Sequence, residues 1–227
     1  MSLSVNTITG SKWDESLLGQ WDELAASTPV DPLFGRVEWA REWWRTFGRP
    51  DQKLNLVTLT SERSLVGLAQ LHQSPENWSG LKAKVLAPLG RTASEYADLL
   101  IPPHPEKAKA LLEHLVKEKG WDVLSLSRLP QTSPTRQIFI EAAESLGLRW
   151  HQENEQDSPY LALENSFEAF LIERFSSNFR NKIRRMKKRL AAEGNLEFEM
   201  VTSADRFEEI SDQLLRVERG SWKGAQG

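Results

Sequence analysis

The sequence predicts an α/β fold in which a sheet with mixed strand directions is flanked by helices. Three patterns lead to this prediction. Apolar residues recur at helical spacing in two segments near the N-terminus, strand-like apolar runs follow them, and helical and strand-like segments then alternate along the chain. The chain has 227 residues, of which 39% are hydrophobic and 27% charged, which is the composition of a globular protein.

The first part is predicted to contain one strand, two helices and then a run of strands. The two helices are expected at Trp13–Leu24 and Val37–Phe47, and the proline-containing segment Thr28–Pro32 separates them because proline interrupts helical hydrogen bonding. A polar turn at Ser61–Ser64 favours a hairpin. The predicted strands of this part are Ser4–Thr9, Leu54–Thr60, Leu65–His72, Lys84–Leu89 and Tyr96–Ile101.

Helices and strands alternate in the middle of the chain. Proline suits the first position of a helix, which favours a helix beginning at Pro105, and Gly120 and Gly147 follow the ends of two helical patterns. The helices predicted here are Pro105–Lys119 and Ser133–Leu146. The predicted strands are Trp121–Ser127, Leu148–Glu153 and Tyr160–Leu163.

The last part has a different character and predicts helix, helix, strand and helix. Asn165 or Ser166 can cap the first helix, Ser176 or Ser177 can cap the second, and Ser203 can cap the last. The predicted strand between them is Leu196–Val201. A piece of roughly 60 residues with this elongated order buries little core by itself. We therefore expect two domains, residues 1–164 and 165–227.

Composition and missing motifs exclude several classes of protein. The chain has no cysteine, which removes disulfides, thiolate metal sites and a cysteine nucleophile. It has no dinucleotide-binding or P-loop glycine motif, no nucleophile elbow and no metal-ligand spacing among its four histidines. No apolar run approaches the roughly 18 residues of a membrane span. We expect a cytoplasmic protein without a bound metal.

The densest local signal is a cluster of positive charge. Seven of the ten residues from Arg180 to Arg189 are Lys or Arg. Like charges repel on one helix, so an anionic ligand such as a phosphate group, or a nucleic acid, would offset them. A solvated face paired with the acidic helix Asp205–Glu218 is an equally open interpretation. Apolar residues recur beside the cluster at Phe179, Ile183, Met186 and Leu190.

Three polar residues of the first part are candidates for binding a substrate. Glu38 lies in the first turn of the second helix, where a carboxylate suits the positive helix end. Tyr96 and Asp98 are two residues apart, so they share one face of a predicted strand. Together these groups could bind or deprotonate a hydroxyl or an amine. A structural interpretation is equally open, in which Glu38 caps a helix and Tyr96 and Asp98 lie on the exposed face of an edge strand.

Seven short segments occur in an order that resembles the CelD/BcsL-type acetyltransferases of the GNAT superfamily, which are found with cellulose and exopolysaccharide synthesis. Two of them are F-x-x-x-E-W with W-W-x-x-F-G (Phe34–Gly48) and F-R-N-K-I-R-R (Phe179–Arg185). The others are L-V-G-L-A-Q-L (Leu65–Leu71), Y-A-D-L-L (Tyr96–Leu100), W-D-V-L-x-L (Trp121–Leu126), P-Y-L-x-L (Pro159–Leu163) and S-W-K-G (Ser221–Gly224).

The resemblance implies two GNAT-like folds in tandem, as in the Fem-type peptidoglycan aminoacyltransferases. Residues 1–164 would form one GNAT-like unit, and residues 165–227 would form the first elements of a second. The resemblance implies direct transfer of an acyl group from acetyl-CoA or another acyl-CoA to a polysaccharide-related amine or hydroxyl. It places the acyl-CoA site mainly in a half that would follow Gly227, so we expect this chain to be incomplete.

One loop of the first unit departs from the GNAT pattern. The pyrophosphate of CoA usually lies on backbone N–H groups at a helix start marked by a glycine-rich motif. The matching loop here, Ile101–Pro105, contains three prolines and no glycine. We expect this unit to shape the acceptor side of the site. The acceptor-side candidates are then Glu38, Tyr96 and Asp98, and the anion-contact candidates are Arg180, Arg184 and Lys223; no catalytic base is assigned.

Two other functions stay open at this point. A tRNA-dependent aminoacyltransferase of the Fem type would use the basic helix against RNA phosphates. A non-catalytic interaction module for polysaccharide assembly would explain the proline-rich loop. The expected partner of the favoured reading is a small-molecule or saccharide acceptor, with nucleic acid as the second choice.

Overall fold

A computed structural model of the protein describes residues 3–10, 13–28, 33–91, 93–153, 157, 159, 161–162, 166–222 and 224. The chain divides into two compact units, Met1–Asp157 and Ser158–Gly227. The predicted domain boundary between residues 164 and 165 lies outside the described residues. The first unit holds the sheet, and the described elements of the second unit are helical.

The first unit contains five strands and four helices within its described residues. Its strands are β1 (Ser4–Thr9), β2 (Lys53–Ser61), β3 (Ser64–Trp78), β4 (Leu81–Pro88) and β5 (Val123–Leu124). Its helices are α1 (Glu15–Ser27), α2 (Val37–Phe47), α3 (Pro105–Glu118) and α4 (Pro134–Ser145).

The five strands form one mixed sheet in the order β1-β2-β3-β4-β5. The first three pairings are antiparallel, whereas β4 and β5 are parallel through Val85 with Val123 and Leu86 with Leu124. A parallel pair needs a crossover connection, which α3 supplies between β4 and β5. The predicted mixed α/β architecture is therefore confirmed.

Apolar side chains cover both faces of the sheet, because neighbouring residues of a strand point to opposite faces. On one face, Val57 and Leu71 pack in a cluster with residues of α3 and α4. On the other face, Leu56 and Leu68 pack with Trp21 of α1 and with residues of α2. The sheet is thus the middle layer of the first unit.

Two predicted strands of the first unit do not form, and a third is short. Tyr96–Ile101 contributes one isolated antiparallel bridge, between Leu100 and Leu68 of β3. Leu148–Glu153 is not a strand, and Trp121–Ser127 is reduced to β5. The Leu99 N–H is hydrogen-bonded to the Asp98 carboxylate at 2.8 Å, so a side chain takes a group that a strand ladder would use.

Strand β3 is longer than predicted and continues to Trp78 through Pro75. Beyond Gln73 it has β4 as its neighbour, because the pairing with β2 begins at Lys53 opposite Gln73. A proline is tolerated where a strand has a free side, since its missing N–H then costs no ladder bond. The ends of the predicted strand Tyr160–Leu163 lie outside the described residues.

The second unit consists of helices α5 (Phe167–Arg174), α6 (Ser177–Glu193) and α7 (Phe207–Arg219), with a 3₁₀ turn at Ala204–Arg206 before the last. The predicted strand Leu196–Val201 is absent. A strand needs a partner for its backbone groups, and the described part of this unit offers no second strand. Among the described residues of the unit, Phe170 is the buried one.

Candidate functional site

A row of polar side chains crosses the first unit on the face of the sheet that α2 covers. Leu68 of β3 belongs to the apolar cluster of that face, so every second residue after it points the same way. The ring of His72 lies 5.3 Å from the ring of Trp43 in α2. We call these residues the polar row: Gln70, His72, Ser74 and Glu76.

The inner part of the polar row is buried, and some of its side-chain atoms have no hydrogen-bond partner. Trp43, Gln70 and His72 are at most 4% exposed. The Trp43 indole Nε1, the Gln70 Oε1 and the His72 Nδ1 have no partner among the described atoms. Buried polar groups are nearly always paired in native proteins, so three unpaired atoms in one place distinguish this part of the core.

Burial is the main cause that lowers the pKa of His72 from 6.5 to about 4, and the positive charge of Arg91 is the next largest. The carboxylate of Glu76 acts in the opposite direction, but its effect is smaller. The imidazole is therefore uncharged at neutral pH. Groups whose pKa is shifted by burial and by a specific charge are common in functional sites, although structural sites also contain them.

The outer end of the polar row carries an ion pair. The Arg91 Nη1 donates to both carboxylate oxygens of Glu76, at 2.9 and 3.0 Å, and the Ser74 hydroxyl donates to the same carboxylate at 2.6 Å. The side chains of Arg91 and Glu76 are 25% and 26% exposed. Solvent therefore reaches this end of the row, where a carboxylate, a guanidinium and a hydroxyl lie together.

A tight turn after β4 joins the polar row to α2. Gly90 has a φ of +92°, and its carbonyl accepts the N–H groups of Ala93 and Ser94 at 2.9 and 2.7 Å. The Ser94 hydroxyl accepts the indole N–H of Trp39 at 3.0 Å. The turn follows the carboxyl end of β4, and ligands of open α/β sheets bind at the carboxyl ends of parallel strands. We therefore take the polar row, together with this turn, as the candidate site.

The sequence analysis did not select the polar row. Its signal is an alternation of polar residues at a period of two, from Gln70 to Glu76. The predicted strand ended at His72, within the row. Only the continuation of β3 to Trp78 and the position of Arg91 bring these groups together.

The three acceptor-side candidates have different surroundings in the structure. Glu38 lies in the first turn of α2, as predicted, with a side chain that is 66% exposed and 3.3 Å from Arg36. Tyr96 is half-buried in the connection before α3. Asp98 accepts the hydroxyl of Ser133 at 2.5 Å, and Ser133 in turn caps α4. No strand forms here, so Tyr96 and Asp98 do not lie on one face of a strand as predicted.

The anion-contact candidates also have different surroundings. The Arg180 guanidinium donates to the carbonyl oxygens of Phe175 and Ile172, at the end of α5. Such a contact satisfies carbonyl groups that a helix end leaves open. Arg184 donates to the side chain of Asn181 at 2.9 Å and is exposed. Lys223 lies outside the described residues.

The start of α3 does not fit the pyrophosphate of an acyl-CoA. Pro102 and Pro103 precede the helix and Pro105 is its first residue, so three N–H donors are missing. His104 makes no side-chain cap, and Glu106 places a carboxylate in the first turn, where it opposes an anion.

Neither the pattern of a metal-binding cluster nor that of a membrane-spanning helix occurs among the described residues. No group of three or more His, Asp or Glu side chains there is placed to hold a metal ion. No described helix combines the length and the apolar character needed to cross a bilayer.

No protein-family model and no curated protein matches the chain. The chain is similar to a ribosomal-protein-alanine N-acetyltransferase from Brucella melitensis biovar Abortus, with 14% identity, a TM-score of 0.41 and coverage of 70% of this chain and 100% of that one. It is similar to a transcriptional regulator from Bacillus halodurans, with 15% identity, a TM-score of 0.38 and coverage of 68% and 99%. It is also similar to an acetyltransferase from Trypanosoma brucei, with 20% identity, a TM-score of 0.36 and coverage of 70% and 100%. None of these likenesses establishes what this chain binds or catalyses.

Proposed function

We propose that this protein is a GNAT-type acyltransferase that transfers an acetyl or other acyl group from acyl-CoA to a polysaccharide-related amine or hydroxyl. The observation that carries the proposal is the element order of the first unit. One strand, two helices and three antiparallel strands precede α3, which crosses over to a parallel strand and is followed by α4. The residue resemblance to CelD/BcsL-type acetyltransferases supports the same reading.

In this proposal the first unit serves the acceptor, because the start of α3 lacks the donors that a pyrophosphate needs. The exposed end of the polar row offers the groups for this role. A carboxylate and a guanidinium side by side can accept from and donate to an amine or a hydroxyl. The acceptor would contact Glu76 and Arg91 first, while Ser74 holds the carboxylate in place.

The acceptor-side role of Glu38 and Tyr96 stays part of the proposal, as does the anion-contact role of Arg184 and Lys223. Asp98 and Arg180 have structural contacts that account for their positions. The acyl-CoA donor would be held by residues other than the start of α3. A cytoplasmic location and a saccharide acceptor belong to the same proposal.

The test is transfer of radiolabelled acetyl from acetyl-CoA by the intact gene product, with amino sugars and neutral oligosaccharides as acceptors. We expect label on the saccharide. We expect Arg91→Gln to lower kcat/KM for the acceptor at least tenfold without changing the KM for acetyl-CoA. Arg45→Gln is the matched control, because Arg45 forms an exposed ion pair with Glu42. Absence of both acetyl-CoA binding and label transfer would overturn the proposal.

A second candidate function is a non-catalytic saccharide-binding module. The observation in its favour is the start of α3, whose prolines and Glu106 oppose the usual donor site. This alternative predicts calorimetric binding of an oligosaccharide by the intact gene product with no acyl transfer from any acyl-CoA. The two measurements together separate the candidates.

A further inference from the structure

Helix α6 carries an uncompensated cluster of positive charge. Within the part of the chain that the structure describes, none of its cations after Arg180 takes part in an ion pair. The acidic residues Glu199 and Glu209 near α7 pair with Arg206 instead. Glu193 is the single acid of α6. The cations without an ion pair are Lys182, Arg184, Arg185, Lys187, Lys188 and Arg189, and all of them are exposed. Lys187 lies over the ring of Phe167, and Arg184 donates to Asn181.

The same helix exposes an apolar stripe along its length. We call these residues the α6 stripe: Phe179, Ile183, Met186 and Leu190. Phe179, Met186 and Leu190 are 41%, 59% and 52% exposed, and no residue of α6 is buried. Spacings of four, three and four residues place the four side chains on one side of a helix.

The charges border the stripe on both sides. At about 3.6 residues per turn, Lys182 and Lys187 fall on opposite borders of the α6 stripe. The other cations lie on the far side of the helix or next to these borders. Lysine side chains at the edges of an apolar face can bury their carbon chains while their ammonium groups stay in water. This arrangement is typical of helices that lie in the plane of a membrane surface.

We infer that α6 binds an anionic lipid surface, with the α6 stripe inserted among the acyl chains and the bordering lysines at the phosphate level. Charge complementarity favours an anionic partner, because the helix has seven cations and a single acid. A nucleic acid would use the cations and leave three exposed apolar side chains in water. A lipid surface uses both faces of the helix. The inference does not depend on the proposed acyl transfer.

The test is co-sedimentation of the intact protein with vesicles of neutral phosphatidylcholine and with vesicles that also contain phosphatidylglycerol. We expect binding to the anionic vesicles, reduced by salt, and little binding to neutral ones. Each Lys near such a surface is worth about 1 kcal/mol, so the double change Lys182→Gln and Lys187→Gln should weaken binding about thirtyfold.

The apolar face has its own variant and control. Met186→Ser with Leu190→Ser should weaken binding to anionic vesicles at least tenfold while the helical circular dichroism stays unchanged. The matched control is Leu81→Ser, an exposed apolar residue at the start of β4 that is 74% exposed. We expect this control to bind like the parent protein.

Three results would overturn the inference. One is no preference for anionic vesicles over neutral ones. Another is unchanged vesicle binding after the stripe variant, which would make the contact purely electrostatic. The third is salt-dependent binding of tRNA by the parent protein without vesicle binding, which would assign α6 to a nucleic acid instead.

Discussion

His72 occupies the centre of β3 on the face that α2 covers, and its ring lies beside that of Trp43. Burial and the charge of Arg91 lower its pKa from 6.5 to about 4. In the unfolded chain the imidazole binds a proton near its ordinary pKa, whereas in the folded chain it does not. Between these two values the unfolded state binds more protons, so the stability of the fold decreases as the pH falls.

We expect His72 to contribute about 3 kcal/mol to this pH dependence, since one pKa unit corresponds to about 1.36 kcal/mol. The contribution is present above pH 6.5 and is lost as the pH falls towards 4. Urea unfolding of the parent protein and of His72→Gln at pH 7 and pH 4.5 measures it. The exposed His151→Gln is the control and should keep the parental pH dependence. Equal pH dependence in all three proteins would contradict the prediction.

Gly90 and Gly80 form a natural comparison, because both have a positive φ, of +92° and +87°. A Cβ at Gly90 would lie 2.2 Å from the Ser94 Oγ, whereas a Cβ at Gly80 would have no atom within 4 Å. Gly80→Ala should therefore cost about 1 kcal/mol from the backbone alone. We expect Gly90→Ala to cost at least twice as much, because the clash also displaces the acceptor of the Trp39 indole. Equal losses in thermal unfolding would refute this account of the turn.

At the scale of elements, the start of α4 depends on a short chain of hydrogen bonds. Asp98 accepts the Ser133 hydroxyl, and the Ser133 Oγ accepts the N–H of Thr135 at 3.1 Å. A cap of this kind orients a helix start and satisfies one of its free N–H groups. This contact gives Asp98 a structural role that a sequence motif could not distinguish from substrate binding.

We expect Asp98→Ala and Ser133→Ala each to lower the free energy of unfolding by about 1–2 kcal/mol, the usual cost of losing a cap. The double variant should lose less than the sum, because the two groups act through one bond. Glu38→Ala, at an exposed site, serves as the comparison and should change stability by less than about 0.5 kcal/mol. Additive losses in a double-mutant cycle would show that the two groups do not cooperate.

Element boundaries also show which sequence signals were reliable. Helices with local marks were predicted well, such as α3 with Pro105 at its first position and α5 and α6 with serine caps. The predicted cap Ser203 was wrong, because its side chain makes no cap bond and α7 begins at Phe207. The strands were predicted less well. A strand forms only where a second strand pairs with it, and the local sequence does not specify that second strand. Leu196–Val201 has strand-like composition, but the described part of its unit contains no strand that could pair with it.

At the scale of the whole molecule, the two units differ in how much apolar surface they bury. The first unit has apolar clusters on both faces of its sheet. In the second unit neither α6 nor α7 has a buried residue, and Phe207, Leu214 and Val217 of α7 are 66%, 67% and 72% exposed. Stability follows buried apolar area, so the units should behave differently when separated.

We expect residues 1–157 to unfold cooperatively with a midpoint within a few degrees of that of the intact chain. We expect residues 158–227 to show weak helical circular dichroism and no cooperative transition, because isolated helices are marginal without tertiary packing. Thermal unfolding of the two pieces and of the intact chain measures both. A cooperative transition in the second piece would contradict the prediction.

Some of the features considered for function could be predicted from the sequence, and others could not. The proline-rich start of α3, the position of Glu38 in a first helical turn and the cationic face of α6 follow from residue type and helical spacing. The pairing of Glu76 with Arg91 cannot be predicted in this way, because the two residues are fifteen positions apart and a hairpin lies between them. Their approach depends on the register between β3 and β4.

The amino-acid sequence by itself determined the mixed α/β class, the start and end of most helices, and the absence of cysteine chemistry. These features depend on local propensity, capping and composition, which act over a few residues. The tertiary structure alone decided the buried polar row, the lowered pKa of His72 and the capping role of Asp98. These properties arise from desolvation and from contacts between segments distant in the chain, which a local pattern does not encode.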